Sequence, residues 1–184
     1  MERRADGEDC DHLVVCEFEP VITVGRAGSG EQYEHLGIPV FEVPRGGKAT
    51  FHGPGQLVVY PIIKMDEDAR DLHAFLHALE QALIDCLAGF GLSGERDSRN
   101  TGCWANGRKL ASIGVAVRRW VSYHGLALNI STDLEWFKRF DPCGLEPEVM
   151  SNMERELGTR PDFAKVRKTL IAQLVEQLGL AQPD

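Results

Sequence analysis

Residues 45–61, RGGKATFHGPGQLVVYP, constrain the fold of this 184-residue chain more than any other stretch. Gly46 and Gly47 permit backbone conformations closed to other residues and allow a close approach to a ligand. Gly53-Pro54-Gly55 marks a rigid turn, and Leu57-Val58-Val59-Tyr60 reads as a strand leaving it. Taken alone, the run is equally a long hairpin with demanding turns, because turn glycines are common.

The remaining pattern sets the class. Residues 13–24 read as a strand ending at Gly25. The following RAGSGEQYEHLG is loop-like, and its glycines lack the Lys-Ser/Thr ending of a phosphate-binding loop. Residues 39–43 form a second short strand. Residues 71–87 are the clearest helix, with Leu72, Phe75, Leu76, Leu79, Leu83, Cys86 and Leu87 at spacings of three and four and Gly89 near the end. Residues 109–130 read as strand, turn, strand, with Arg118-Arg119 at the turn. Residues 161–178 form a second amphipathic helix, carrying Phe163, Val166, Leu170, Leu174 and Leu178 on one face and stopped by Gly179. Helices and strands do not alternate as in a doubly wound sheet, so the expected class is α+β in one domain spanning residues 1–184, with no repeats and no linker.

Charge and cysteine usage narrow the function. A net charge of −8 disfavours non-specific nucleic-acid binding, which needs a basic face. No segment approaches the roughly 20 apolar residues of a membrane span, and the N-terminus has no apolar stretch after its arginines, so it is no secretory signal. The five cysteines (10, 16, 86, 103 and 143) are odd in number and lack Cys-x-x-Cys spacing. Neither a disulfide framework nor a zinc site is expected, and a reducing cytoplasm is the natural location. His73 and His77 lie one turn apart on the first helix, but with no third ligand nearby they read as exposed surface.

Cys143 lies between Pro142, which fixes the approach of the chain, and Gly144, which leaves the thiol accessible. A lone cysteine is more often a small core residue than a nucleophile. Lys109, opening the run KLASIG, would ordinarily be solvated surface. Cys86 reads as helix core, and Cys103 as a decoy close to Lys109.

Three segments change those odds when taken with residues 45–61. They are CEFEPVITVGR (16–26), GCWANGRKLASIGVAVRRWVSYHGLALNIS (102–131) and DPCGL (141–145). In this order and spacing they resemble the octanoyltransferases of lipoate biosynthesis, from about Leu13 to Leu178. The resemblance implies the fold of biotin and lipoate protein ligases, with mixed sheets flanked by helices. It implies transfer of octanoyl or lipoyl groups from acyl carrier protein to the lysine of lipoyl domains, in 2-oxoacid dehydrogenase E2 subunits and the glycine-cleavage H protein. Cys143 then matches the acyl-thioester position and Lys109 the residue that activates it and serves as general base. Arg45, Gly46, Gly47, Lys48, Ala49, Thr50, Phe51 and His52 match a first substrate-binding segment. Ser112, Ile113 and Gly114 match the second, and Gly125, Leu126 and Ala127 the third. His52 and His124 read as hydrogen-bonded pocket walls rather than acid/base groups.

Because both transfers start from a thioester, no ATP, metal or other cofactor is expected. The acidic chain needs a local basic patch to dock acidic carriers, for which Arg45, Lys48, Arg108, Arg118 and Arg119 are candidates. A monomer is the default state. Relatives begin with an additional strand and most of a helix before Leu13, whereas here Met1 to Gly7 match only that helix's tail, which implies an exposed sheet edge. Two alternatives stand beside this reading: an ATP-dependent lipoate or biotin protein ligase on the same scaffold, and a non-catalytic acyl-carrier binding module.

Overall fold

The computed structural model describes residues 1–7, 10–140 and 144–181. Two sheets organise it. The larger contains β1 (His12–Cys16), β5 (Gln56–Ile62), β6 (Gly102–Ala105), β7 (Arg108–Arg118) and β8 (Val121–Asn129) in the order β1-β5-β8-β7-β6, antiparallel throughout. The smaller has β2 (Val21–Val24) at its centre, parallel to β3 (Val40–Glu42) and antiparallel to β4 (Ala49–His52). A short helix α1 (Glu2–Ala5) opens the chain; α2 (Leu72–Ala88), α3 (Met153–Leu157) and α4 (Phe163–Gln177) complete it.

The expected single strand over residues 13–24 is instead two strands in different sheets. Glu17 to Pro20 break the ladder, and proline cannot donate to one. The glycine-bearing segment read as loop contains a 3-10 helix, Gly30–Leu36. Both amphipathic helices are present. Asp71 caps α2 by accepting from the His73 and Ala74 amides, and Asp162 caps α4 in the same way through Ala164 and Lys165. Such caps satisfy amides that have no partner within the helix.

Phe75, Leu79, Leu83 and Leu87 of α2 and Val166, Leu170 and Leu174 of α4 bury themselves against Leu57, Val59, Leu110 and Leu128 of the large sheet, whereas Leu72 of the same helix is exposed and Leu76 half-buried. Each such side chain contributes about 1.5–3 kcal/mol when fully buried. A second core is aromatic. Phe51 stacks on Trp136 at 5.0 Å and meets Phe137 edge-on at 5.9 Å, beside Ile22, Val24 and Tyr33.

Two-residue turns join the antiparallel strands. Asn106 and Gly107 both have positive φ, 53° and 72°, as a tight hairpin requires. At the β7–β8 turn the left-handed pair is Arg119 and Trp120 (φ 53° and 59°), one residue beyond the turn expected from sequence.

The glycine-rich loop joins the two sheets. Gly25 N–H donates to Lys48 O at 2.9 Å and Arg26 N–H to Arg45 O at 3.1 Å, fastening the loop to the end of β2. Gly46 N–H donates to Val115 O of β7 at 3.3 Å. A Cβ on Gly25 would lie 2.4 Å from Gly47 O, so only glycine admits this crossing.

Candidate active site

A cavity of about 810 Å³ lies along the seam between the sheets. One wall is the glycine-rich loop: Arg45, Gly46, Gly47, Lys48, Thr50 and His52 all line it. The facing wall is the β7–β8 pair, which contributes Lys109, Ser112, Ile113 and Gly114, then Gly125, Leu126 and Ala127. Side chains alternate along β5, so Val58 and Tyr60 line the cavity while Leu57 and Val59 join the helix-facing core. Gly125 is where β8 presses hardest on β5: a Cβ there would lie 2.1 Å from Val59 O.

The three segments singled out in sequence thus converge on one cavity, with two exceptions. Ala49 and Phe51 point into the second core, as the alternation along β4 demands. Cys143 lies outside the described residues. Its neighbour Gly144 has φ +81°, and a Cβ there would sit 3.9 Å from the Lys48 Nζ. Ser151 N–H donates to Lys109 O at 2.9 Å, and a bridge pairs Lys109 with Met150. The chain that follows Cys143 therefore flanks the cavity at Lys48 and again at Lys109.

At one end of the cavity a polar network is closed in. The Arg45 guanidinium is buried and donates to Gly46 O at 2.9 Å, to Thr23 O at 2.7 Å and to Thr23 Oγ1 at 3.1 Å. Thr23 Oγ1 lies 3.3 Å from His52 Nε2, and His52 Nδ1 lies 2.7 Å from Gln56 Oε1. Gln56 Nε2 donates to Asn129 Oδ1 at 2.8 Å, and Asn129 Nδ2 donates to Ser151 O at 3.1 Å. Burial, with the charges of Arg45 and His124 adding to it and the Gln56 hydrogen bond opposing it, lowers the His52 pKa to about 4. His52 is accordingly neutral near pH 7 and serves as a wall. Burial and Arg45 push His124 down too. His124 has φ +58° on a strand, and among the described residues its buried Nε2 has no hydrogen-bond partner, unlike the hydrogen-bonded wall expected of it from sequence.

At the other end Lys109 is itself buried, 2% exposed. Its ammonium donates to Asn100 Oδ1 and to Thr101 O, the latter at 3.0 Å, and lies 5.7 Å from the centre of the Trp104 ring. Beneath its strand, the Glu156 carboxylate is 1% exposed and accepts from Arg108 Nε at 2.7 Å, Asn106 Nδ2 at 2.9 Å and Ser151 Oγ at 2.5 Å. Burial opposes its charge, but these hydrogen bonds and Arg108 outweigh it and hold the carboxyl down at about 2.

The cations considered for docking divide. Arg45 is interior and Arg108 is committed to Glu156. Arg118 and Arg119 face Glu2 at 4.0 Å and Asp6 at 2.5 Å near α1, and Lys48 lines the cavity. Cys86 and Cys103 are buried, which pushes both thiols up to about 12, far from the ionised form a nucleophile needs. Among the described residues no group of three or more potential metal ligands is gathered, and no helix is long and apolar enough to cross a membrane.

Sequence reasoning missed Thr23, Tyr60, Asn100 and Thr101 in the cavity wall, and the Gln56–Asn129 pair behind it. The available signal was polar side chains interrupting apolar strands, Gln56 before LVVY and Asn129 after LAL.

Two sheets of this topology enclosing such a cavity define the biotin and lipoate protein ligase class. A lipoate protein ligase from Thermoplasma acidophilum, solved with bound lipoic acid, superposes with a TM-score of 0.79 at 18% identity, over 95% of this chain and 75% of that one. A biotin protein ligase from Aquifex aeolicus, solved with biotin and ATP, gives 0.59 at 11%, over 88% of this chain and 71% of that one. The profile of the lipoyl protein ligase A/B catalytic domain matches residues 1–175. A protein named octanoyltransferase from Rubrobacter xylanophilus is 46% identical over 97% of this chain and 84% of its own length. The chain belongs to the lipoyl protein ligase A/B catalytic-domain family, among its octanoyltransferases, which are acyltransferases.

Proposed function

We propose that this chain moves an octanoyl group from acyl carrier protein to the lysine of a lipoyl domain through a thioester on Cys143. The observation that carries the reading is Lys109, a buried amine held at one end of a large cavity, with the chain leaving Cys143 running past it. Lys109 in its neutral form takes the proton of the Cys143 thiol. The thiolate attacks the carrier's thioester carbonyl, the bond to the phosphopantetheine sulfur breaks, and Lys109 returns its proton to that sulfur. The acceptor lysine then attacks the Cys143 thioester. Lys109 accepts a proton from the attacking nitrogen and delivers it to the departing Cys143 sulfur, leaving an amide and the starting enzyme.

Backbone approach at Gly114 and Gly125 brings the strands close beside the reacting carbonyl, and Ile113, Val58 and Leu126 offer an apolar slot for the chain. The acceptors are the lipoyl domains of 2-oxoacid dehydrogenase E2 subunits and the glycine-cleavage H protein, and the enzyme acts as a monomer in the cytoplasm. The ligase alternative rests on the shared family profile and on fold likeness, but the ATP-bound neighbours share under a fifth of their residues with this chain, whereas the relatives at 43–46% identity are named octanoyltransferases. The test is octanoyl transfer from octanoyl-acyl carrier protein to a purified lipoyl domain without ATP. Transfer at an ordinary enzymatic rate supports the proposal. Transfer only from free octanoate plus ATP overturns it.

A further inference from the structure

We infer that Asn100 is a positioning residue for the reaction: its side-chain carbonyl aims the Lys109 amine and sets how readily that amine gives up its proton. The inference rests on the reading of Lys109 given above and extends it to a residue outside the binding and catalytic segments.

Asn100 and Thr101 together hold Lys109 through two carbonyl oxygens, Asn100 Oδ1 and Thr101 O. The aliphatic stem is fixed as well, because Gly102 leaves room where a Cβ would lie 2.9 Å from Lys109 Cε. A lysine side chain has about 2 kcal/mol of rotamer entropy to lose, so a defined position needs partners of this kind.

The turn carrying Asn100 is braced by its neighbours Asp97 and Arg99, the latter also lining the cavity. Asp97 accepts from the Arg99 amide at 2.8 Å and from its guanidinium at 2.9 and 2.6 Å. Arg99 lies over the Trp104 ring at 4.3 Å and donates to Gly107 O at 3.2 Å. Trp104 Nε1 in turn donates to Asn100 O at 3.1 Å. The backbone of Asn100 is thereby tied to β6 and its side chain to β7. Asp97 and Arg99 satisfy one another at the surface, whereas Asn100 alone of the three reaches Lys109.

The choice of an amide has a chemical consequence. A neutral carbonyl orients an ammonium and favours its charged form modestly; a carboxylate at the same place would favour it strongly. Among the described residues, the other ionisable groups toward this end include Asp97 and Arg99 on the turn, Cys103 on β6, Glu80 on α2, which accepts from Gly102 N–H at 3.2 Å and pairs with Arg96 at 3.1 Å, and Lys48 and Arg45 across the cavity. With Asn100 neutral, Lys109 can alternate between base and acid in both half-reactions.

Asn100→Asp keeps the shape and an acceptor oxygen but adds charge; Asn100→Ala removes the acceptor. Each half-reaction is measured separately across pH 6–10: acyl-enzyme formation from octanoyl-acyl carrier protein, and transfer from the isolated acyl-enzyme to a lipoyl domain. Asn100→Asp is expected to slow both acyl-enzyme formation and transfer about tenfold at pH 7, and each recovers as pH rises by one to two units. Asn100→Ala is expected to slow both steps about tenfold at every pH with KM nearly unchanged. Unchanged rates and profile in folded Asn100→Asp would overturn the inference, as would slowing of Asn100→Asp by the same factor at every pH, which marks a purely structural turn. Lys109→Met run alongside separates the two layers: full activity in that variant fails the reading of Lys109 itself, whereas its inactivity beside an unaltered Asn100→Asp fails only the inference about Asn100.

Discussion

The two ends of the cavity are built from similar materials to opposite effect. At the glycine-rich loop, Arg45, Thr23, His52, Gln56 and Asn129 form a continuous buried chain, in which His52 is held neutral by burial beside the charged Arg45 guanidinium. At the far end a single buried lysine is held by two carbonyls on a turn braced by Asp97, Arg99 and the buried Trp104. The first arrangement resists any change of charge and so preserves shape. The second holds one basic nitrogen in a water-poor site where its proton can be exchanged. Under the proposed function the first wall binds and the cradled amine does the chemistry.

Replacing Lys109 by Met cuts at the chemical end and carries the largest effect. Octanoyl transfer should fall by about 10³-fold or more in a kinetic assay, while circular dichroism shows a folded protein. Gly125→Ala strikes the seam between the ends. With Val59 O 2.1 Å from the added carbon, β8 must shift from β5, and urea unfolding should show a loss of about 3 kcal/mol.

Glu156→Gln removes the charge held by Arg108, Asn106 and Ser151 and should cost about 2–3 kcal/mol at pH 7. The folded carboxyl is held down at about 2, below its ordinary value, so its contribution is complete above about pH 4.5 and disappears as pH falls toward 2. The variant should therefore match the parent in very acid solution and diverge above it.

His52→Asn tests the binding end and should have the smallest effect at neutral pH. The folded histidine titrates at about 4 against an ordinary value of 6.5, so below 6.5 the unfolded chain binds the extra proton and the parent loses stability down to about pH 4. The variant should lose that slope, and its KM should rise more than its kcat falls. If instead kcat collapsed with KM unchanged, the contrast between the two ends would not hold.

Much of this architecture was legible in the residues. The leucine spacing of α2 marked the helix to within a residue at each end, because an amphipathic stripe must face a core. The glycine-rich run, Lys109 and the segments around Gly114 and Gly125 could be placed at one site through the resemblance they carry together. What stayed hidden depends on contacts distant in sequence. Residues 13–24 looked like one strand because local pattern does not say which sheet a residue joins. Asn106-Gly107 was a hairpin signal within reach, and with it β6 could have been paired to β7. Phe51 sits among the binding residues in sequence, but β-alternation turns it to Trp136. Asn100 gave no sign, since only folding brings its turn to Lys109.

The most direct test of the account is the intact mass of the protein after incubation with octanoyl-acyl carrier protein, comparing the parent with Cys143→Ala. The account predicts that the parent gains a single octanoyl group and that Cys143→Ala gains none. Equal labelling of both, or transfer to a lipoyl domain by Cys143→Ala at the parental rate, would contradict it.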